Sequence, residues 1–366
     1  MRFLHTADWQ IGMKAAALGD AGARVREERL AAGKRAIEAA REQGVDFILV
    51  AGDTFEDNAV DRVLVQRVAD ILAAFGSPVF IIPGNHDPLA PGSVWEHPAW
   101  KSAAYVRVLR EETPVEAAGG RLYPCPVFEK RSNRNPTAWI PDDRGDVIRV
   151  GMAHGTVEGV HQEEPDYPIP RDAARQCGLD YLALGHWHSY AAYPDEDGVT
   201  RMAYSGTHET TKFGERDSGN TLLVDIDRPG ATPRITPVRT AGLTWTQLEE
   251  DLREAGALAH LREAVESMGN GDTTLIEITL AGLLHAQDRE ELERIRQIVA
   301  SRFLYGRLNT GTLRPSPEDD AWISNLPPGV VREAALRLRD AAAAGPDETA
   351  LRALLELYAL VEEAAS

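Results

Sequence analysis

Five short apolar runs, each ending on side chains able to bind a metal ion, constrain this sequence more than any other feature. They are Arg2-Phe3-Leu4-His5-Thr6-Ala7-Asp8, Phe47-Ile48-Leu49-Val50-Ala51-Gly52-Asp53, Val79-Phe80-Ile81-Ile82-Pro83-Gly84-Asn85-His86-Asp87, Arg149-Val150-Gly151-Met152-Ala153-His154 and Tyr181-Leu182-Ala183-Leu184-Gly185-His186-Trp187-His188. Short β-branched and aliphatic runs followed by small residues read as buried strands. Between them, Arg24 to Gln43 and Asp61 to Phe75 carry the alanine, leucine and alternating charge of helices. Strand–helix alternation predicts an α/β domain. Ligands at the strand exits then gather along one sheet edge, where open α/β folds place their sites.

The residue types narrow the chemistry. Asp8, Asp53, Asn85, His154, His186 and His188 offer carboxylate and amide oxygen and imidazole nitrogen, with no thiolate. Such donors suit Mn²⁺, Fe or Zn²⁺ at a working site better than a thiolate-held structural zinc. They suffice for two ions, and a carboxylate can bridge a pair about 4 Å apart that grips both ends of an in-line displacement at phosphorus. Taken singly, each fragment has a plainer explanation: Gly-Asp as a turn, Gly-Asn-His-Asp as a capped loop, His154 as a core histidine. Their conjunction, each at a strand exit, carries the metal reading.

Composition sets the limits. With 366 residues, 43% hydrophobic and 26% charged, the chain has the make-up of a globular protein with one substantial domain and one or two smaller ones. No apolar run approaches the roughly 20 residues of a membrane span, and the first residues read as a strand rather than a signal peptide. The two cysteines, Cys125 and Cys177, fit a reducing cytoplasm. The net charge of −18 opposes non-specific binding to a nucleic acid backbone. Any such substrate must be drawn by a local patch, by metal ions or by a partner.

Together the motifs resemble the calcineurin-like metallophosphoesterase superfamily, with its Asp-x-His, Gly-Asp, Gly-Asn-His-Asp, His and Gly-His-x-His pattern. Within it, His5-Thr6-Ala7-Asp8-Trp9 followed by Ile11-Gly12, and Tyr204-Ser205-Gly206-Thr207 followed by Phe213-Gly214-Glu215, are similar to the SbcD-type nuclease subunits of double-strand-break repair complexes. The resemblance covers about residues 1 to 240. It implies a two-sheet α/β sandwich flanked by helices, a small α/β capping domain and C-terminal helices. It assigns Asp8, Asp53 and His188 to a first divalent metal, and Asp53, Asn85, His154 and His186 to a second, Mn²⁺ being the expected ion. It makes His86 the catalytic acid or charge-stabilising residue, with Asp87 either orienting His86 or capping its loop. The partners it implies are DNA, an SbcC-like ATPase of the SMC type and a second copy of the chain, with no membrane.

The sequence departs from that pattern twice. Gln10 stands where the family places a histidine ligand, and its amide oxygen is a weaker donor, so a looser first site is expected. Glu56 follows the Gly-Asp motif where some of these nucleases place a second catalytic histidine, and is expected to be a solvated loop residue. Either an enzyme acting on nucleotides and small phosphate esters or a weakly active scaffold for an ATPase is also compatible with these residues.

The expected boundaries are 1–240 for the nuclease domain, 241–314 for the capping domain, 315–328 for a proline- and acid-rich linker and 329–366 for a helical ATPase-docking segment. Thr221 to Arg239 reads as strands closing a second sheet, Thr246 to Leu252 as the start of a helix, Leu275 to Leu280 as a strand, Asp288 to Phe303 as a helix and Leu304 to Thr312 as a strand. Two C-terminal helices are expected to break at Gly345-Pro346, with Asp347 as N-cap. The second carries an apolar stripe of Leu351, Leu354, Leu355, Tyr358 and Val361 that is either core or a docking face. Lys130, Arg131, Arg134 and Lys212 flank the expected site and are the candidates for DNA-backbone contact.

Overall fold

The computed structural model describes residues 1–159, 166–252, 256–285, 288–316, 320–344 and 348–365. It divides into two compact units, Met1–Thr244 and Trp245–Ser366.

In the first unit, β1 (Arg2–Thr6), β2 (Phe47–Ala51), β3 (Val79–Ile82) and β4 (Val106–Val108) run parallel. A second sheet holds β5 (Val115–Ala117), β6 (Gly120–Pro124), β7 (Ile148–His154), β8 (Tyr181–Gly185), β9 (Ala191–Pro194) and β10 (Thr200–Tyr204) in the order β5-β6-β7-β8-β10-β9. Its central strands β6, β7, β8 and β10 are parallel. Strands buried on both faces have no polar side to display, which is why their sequences are continuous apolar runs. Period-two alternation still sorts them. Phe3, Phe47, Leu49, Phe80 and Ile82 meet Val150, Met152, Tyr181 and Ala183 between the sheets, and Phe3 stacks on Phe47 with centroids 5.0 Å apart. Leu4, Ile48, Val50 and Ile81 face the other way, into a core with helix residues Ile37, Val68 and Leu72.

Those residues belong to α1 (Ala21–Glu42) and α2 (Arg62–Ala73). Asp61 Oδ1 caps α2 by accepting the Val63 N–H at 2.8 Å. Val68, Ile71, Leu72 and Phe75 are buried in the core, whereas Val63 is 65% exposed. The helix therefore packs on its own sheet. A turn of helix, α3 (Ala99–Ser102), closes the same core, and α4 (Ala173–Gln176) packs on the far side of the second sheet.

The strands expected to close a second sheet join the first instead. β11 (Asn220–Asp225) pairs antiparallel with β1, in the register Phe3↔Val224 and His5↔Leu222, and β12 (Arg234–Arg239) pairs with β11. The first sheet thus has the order β12-β11-β1-β2-β3-β4. β1 has β2 on one side, and its other edge would leave backbone amides unpaired without β11.

The second unit is built on β13 (Thr244–Leu252), β14 (Thr274–Leu284) and β15 (Tyr305–Pro315), in that order across the sheet. Helix α5 (Ala257–Ser267), absent from the sequence reading, and the expected helix α6 (Arg289–Arg302) bury Leu258, Leu261, Val265, Ile295 and Val299 against Ile276 and Ile278. Thr246 to Leu252 is strand rather than helix. Leu248 and Leu252 stand four apart, a spacing that suits one helix face and one strand face equally. Pairing beside β14, fastened by the Gln247 amide on Glu277 Oε2 at 2.9 Å, decides for the strand. The stretch expected as linker contains α7 (Ala321–Asn325), whose Ile323 is buried against Ala335 of α8 (Val330–Ala343) and Leu354 of α9 (Glu348–Ala365). The expected break at Gly345-Pro346-Asp347 lies outside the described residues. The α9 stripe is split: Leu354 is core and Tyr358 meets Trp322 edge-on at 5.1 Å, whereas Leu351 is 50% exposed. No described helix is long and apolar enough to cross a membrane, and Cys125 and Cys177 are buried and unbridged.

Candidate metal centre

The exits of β1, β2, β3, β7 and β8 converge so tightly that only glycine fits at the crossings. A Cβ added to Gly84 would lie 2.2 Å from Asp53 Oδ1, and one on Gly185 would lie 2.0 Å from the Ala51 carbonyl. Four of the candidate ligands turn through left-handed backbone, Asp8 at φ 54°, Gln10 at 47°, Asp53 at 50° and His186 at 111°. Non-glycine residues tolerate such values only where surrounding contacts hold them, a condition common at functional sites.

One donor set forms around Asn85. The Asn85 amide donates to Asp166 Oδ2 at 3.4 Å, and a carboxylate can only accept, so Asn85 Oδ1 is turned inward. There it lies 2.9 Å from His154 Nε2 and 3.2 Å from His186 Nδ1. His154 Nδ1–H donates to the Ala51 carbonyl at 2.9 Å, leaving Nε2 as the donor edge, 3.4 Å from Asp53 Oδ2.

The other set forms around Asp8. Both carboxylate oxygens accept the His186 N–H, at 3.0 and 3.1 Å. His188 Nδ1–H donates to Glu215 Oε1 at 2.7 Å, fixing the ring and freeing Nε2, the usual carboxylate–histidine device of metal sites. Gln10 is buried here, but its amide nitrogen donates to Asp53 Oδ2 at 3.1 Å, so its oxygen is not the atom turned toward Asp53.

His86 borders this centre. Its N–H donates to Asp53 Oδ1 and its Nδ1–H to the Glu56 carbonyl, each at 2.9 Å, which leaves Nε2 as the edge available to a substrate. Glu56 therefore takes part through its backbone, not as the solvated loop residue expected. Asp87 does not orient His86: its oxygens accept the Gly84 and Phe55 N–H groups at 2.7 and 2.9 Å, capping the loop. Its neighbours Gly84 and Phe55 leave donors that only a fixed acceptor can satisfy once buried.

The charges fit a cation. Donor atoms of Asp8, Asp53 and His154 lie within 4.8 Å of one another, all buried. Burial pushes Asp8 up to about 6. Burial, joined by the nearby Asp53 charge, pushes Asp87 up to about 7. Burial also opposes the charge on Asp53, but His154 and His86 outweigh it and hold the carboxyl below the usual carboxylate range. The same burial disfavours a charged His154, yet Asp53 and Asp8 raise it to about 9. His154 Nε2, Asn85 Oδ1 and Asp53 Oδ2 are lone-pair atoms facing one another, a cluster that needs either a proton or a cation between them. Divalent metal ions fit these donors, and their binding would displace that proton.

Four cations were expected near the site. Lys130 and Arg131 are exposed on a loop fastened to it, because Asp166, which holds Asn85, also accepts the Ser132 N–H at 2.9 Å. Lys212 is exposed beside Thr211, whose hydroxyl meets His188 Nδ1 at 3.1 Å. Arg134 Nη2 donates to both carboxylate oxygens of Glu112, at 2.7 and 2.8 Å. That pair lies at the surface, where such contacts are weak.

The sequence profile of the calcineurin-like phosphoesterases matches residues 1–190, the stretch that carries every one of the candidate ligands. The chain belongs to that family. The buried Asp8, Asp53 and His154 cluster lies within the matched residues. The chain is 26% identical over 252 residues to the uncharacterised metallophosphoesterase YhaO of Bacillus subtilis strain 168, covering 67% of the present chain. The chain spans about 60% of that relative's length. Among solved structures, TT1561 of Thermus thermophilus is similar over 65% of this chain and 98% of its own, with a TM-score of 0.44 and 13% identity.

The sequence reading did not single out Arg29, Asp166 or the Glu56 carbonyl, and it noted Glu215 only as part of a motif. Each acts through hydrogen bonds between residues far apart along the chain, for which a sequence has no periodic signal.

Proposed function

We propose that the protein is a two-metal phosphodiesterase acting on DNA, a Mn²⁺-dependent exonuclease and endonuclease of the SbcD type. The observation that supports this best is the buried cluster of Asp8, Asp53 and His154, whose donor atoms lie within 4.8 Å of one another, with Asn85 and His86 hydrogen-bonded into it. A divalent pair in such a site supplies a nucleophile at neutral pH and neutralises phosphate charge. The protein's part is to hold that pair at fixed geometry and to present His86 Nε2 to the leaving oxygen. Lys130, Arg131 and Lys212 flank the centre and would receive the neighbouring phosphates. Exposed Leu351 and Leu360 on α9 would meet the SbcC-like ATPase, and the active assembly would be a dimer of this chain.

The net charge of −18 favours a second reading, hydrolysis of nucleotides or small phosphate esters. Cleavage of labelled single- and double-stranded DNA in Mn²⁺, set against bis-p-nitrophenyl phosphate, separates the two. Activity on the small ester alone would refute the DNA assignment. Activity on neither, with an ATPase still bound, would make the chain a scaffold.

Two further outcomes follow. Replacing Lys130 and Arg131 by alanine should flatten the salt dependence of duplex binding, by about 0.9 in log–log slope for each phosphate that the loop no longer neutralises. An unchanged slope would remove the loop from the DNA path. Gln10→His should tighten the first ion on the order of tenfold, about 1.4 kcal/mol, since imidazole is a better donor than an amide oxygen. Calorimetric Mn²⁺ titration reads this directly, and an unaltered first affinity would exclude position 10 from the ligand shell.

A further inference from the structure

Helix α1 carries a cation that the catalytic chemistry does not require. Arg29 is 1% exposed. Its Nε donates to the Trp9 carbonyl at 3.0 Å, and Nη2 reaches that carbonyl and, at 3.3 Å, the Asp8 carbonyl. Nη1 donates to the Glu209 carbonyl at 2.7 Å and the Thr210 carbonyl at 3.4 Å. Among the described residues, every hydrogen bond of the fork thus ends on backbone, in two segments far apart along the chain. The carboxylates of Glu209, Glu215, Glu56 and Asp8 offset its charge from nearby.

The two segments lead to the same place. The first carries Asp8 itself. The second continues into Thr211, whose N–H donates to Glu215 Oε2 at 2.7 Å while Glu215 Oε1 holds His188 Nδ1 at 2.7 Å. Asp8 and His188 are the donors that belong to the first ion alone. Asn85 and His154 are held by Asp166 and the Ala51 carbonyl, with no bond to Arg29 among the described residues, and His186 is tied to Arg29 only through the Asp8 carboxylate. The block around Arg29 is stiff: Trp9 stacks on His208 at 4.7 Å, His208 Nε2–H donates to the Arg29 carbonyl at 2.7 Å, and the Trp9 ring lies where a Cβ on Gly33 would be.

We infer that Arg29 is the positioning residue of the first half-site, fixing the distance between Asp8 and His188 and so the occupancy of the first ion without touching it. The inference rests on the two-ion reading above. Its planar fork reaches both segments at once, which a lysine ammonium on a flexible stem does not. Outer-shell groups of this kind typically contribute about 10–100-fold to metal affinity.

The test is Mn²⁺ titration of the full chain by calorimetry, with electron paramagnetic resonance to distinguish a coupled Mn²⁺ pair from isolated ions. Arg29→Lys and Arg29→Met should each weaken the first ion about 10–100-fold and the second much less, replacing the coupled spectrum by that of isolated ions. Val25→Ala, buried on the same helix, serves as the packing control: it should lower Tm and leave the ratio of the two affinities as in wild type. Wild-type affinities in Arg29→Lys would overturn the inference, and so would equal weakening of both ions. Failure of both Arg29 variants to fold would overturn it too, making Arg29 a folding residue. Should the wild-type chain itself bind fewer than two ions, the two-ion reading fails instead, a result none of the other outcomes resembles.

Discussion

Asp53→Asn should lower the turnover of bis-p-nitrophenyl phosphate in Mn²⁺ by about a thousandfold or more, since a bridging carboxylate supports several kcal/mol of charge stabilisation at such a site. Asparagine has nearly the same shape, and its Oδ1 can still accept the His86 N–H that Asp53 Oδ1 takes at 2.9 Å. The fold should therefore survive. On the proposed two-ion reading, what disappears is the anion shared by both donor sets, and with it the electrostatic reason for two dications to sit close together. Thermal unfolding with and without Mn²⁺ separates the effects. Ligand binding to the native state raises Tm, and in Asp53→Asn that rise should vanish while Tm in chelator stays near the wild-type value. Retention of two ions with turnover within tenfold of wild type would show that the two donor sets do not share Asp53.

The ligand clusters could be seen in the sequence because chemistry and geometry coincide there. A buried strand must be apolar, and the residue just past its end is the first one able to reach a site at the sheet edge. That is why Asp8, Asp53, Asn85, His154, His186 and His188 declared themselves at strand exits. Their support did not. Asp166 and Glu215 are acids among many in a chain with 57 acidic residues, and only the fold brings them to Asn85 and His188. Arg29 sits in a helix crowded with arginine and glutamate, where burial alone distinguishes it.

The misreadings share a cause. Strand partners are non-local, so the alternation in β11 announced a strand but not that β1 would pair with it. Four-residue spacing at Leu248 and Leu252 left helix and strand undecided until β14 supplied an edge. Asp87 could plausibly orient its neighbour His86 or cap a loop, and the outcome turned on two orphan amides, those of Gly84 and Phe55.

His86→Ala should leave both ions bound and slow DNA cleavage by about 10²–10⁴-fold, the usual contribution of a positioned acid or base. The ligand shell should tolerate the change because what Asp53 accepts from residue 86 is the backbone N–H, which alanine retains. The ring's other anchor, the Glu56 carbonyl, belongs to a half-buried residue that water can satisfy. The loss should also depend on the substrate. A sugar hydroxyl is a poor leaving group and needs a proton or a hydrogen bond as the P–O bond breaks, whereas p-nitrophenolate needs little help. His86→Ala should therefore cost much more on DNA than on bis-p-nitrophenyl phosphate, with Mn²⁺ stoichiometry unchanged. Equal losses on both substrates would place His86 at the equatorial charge of the phosphoryl group rather than at the leaving oxygen. Wild-type rates on both would remove it from the chemistry altogether.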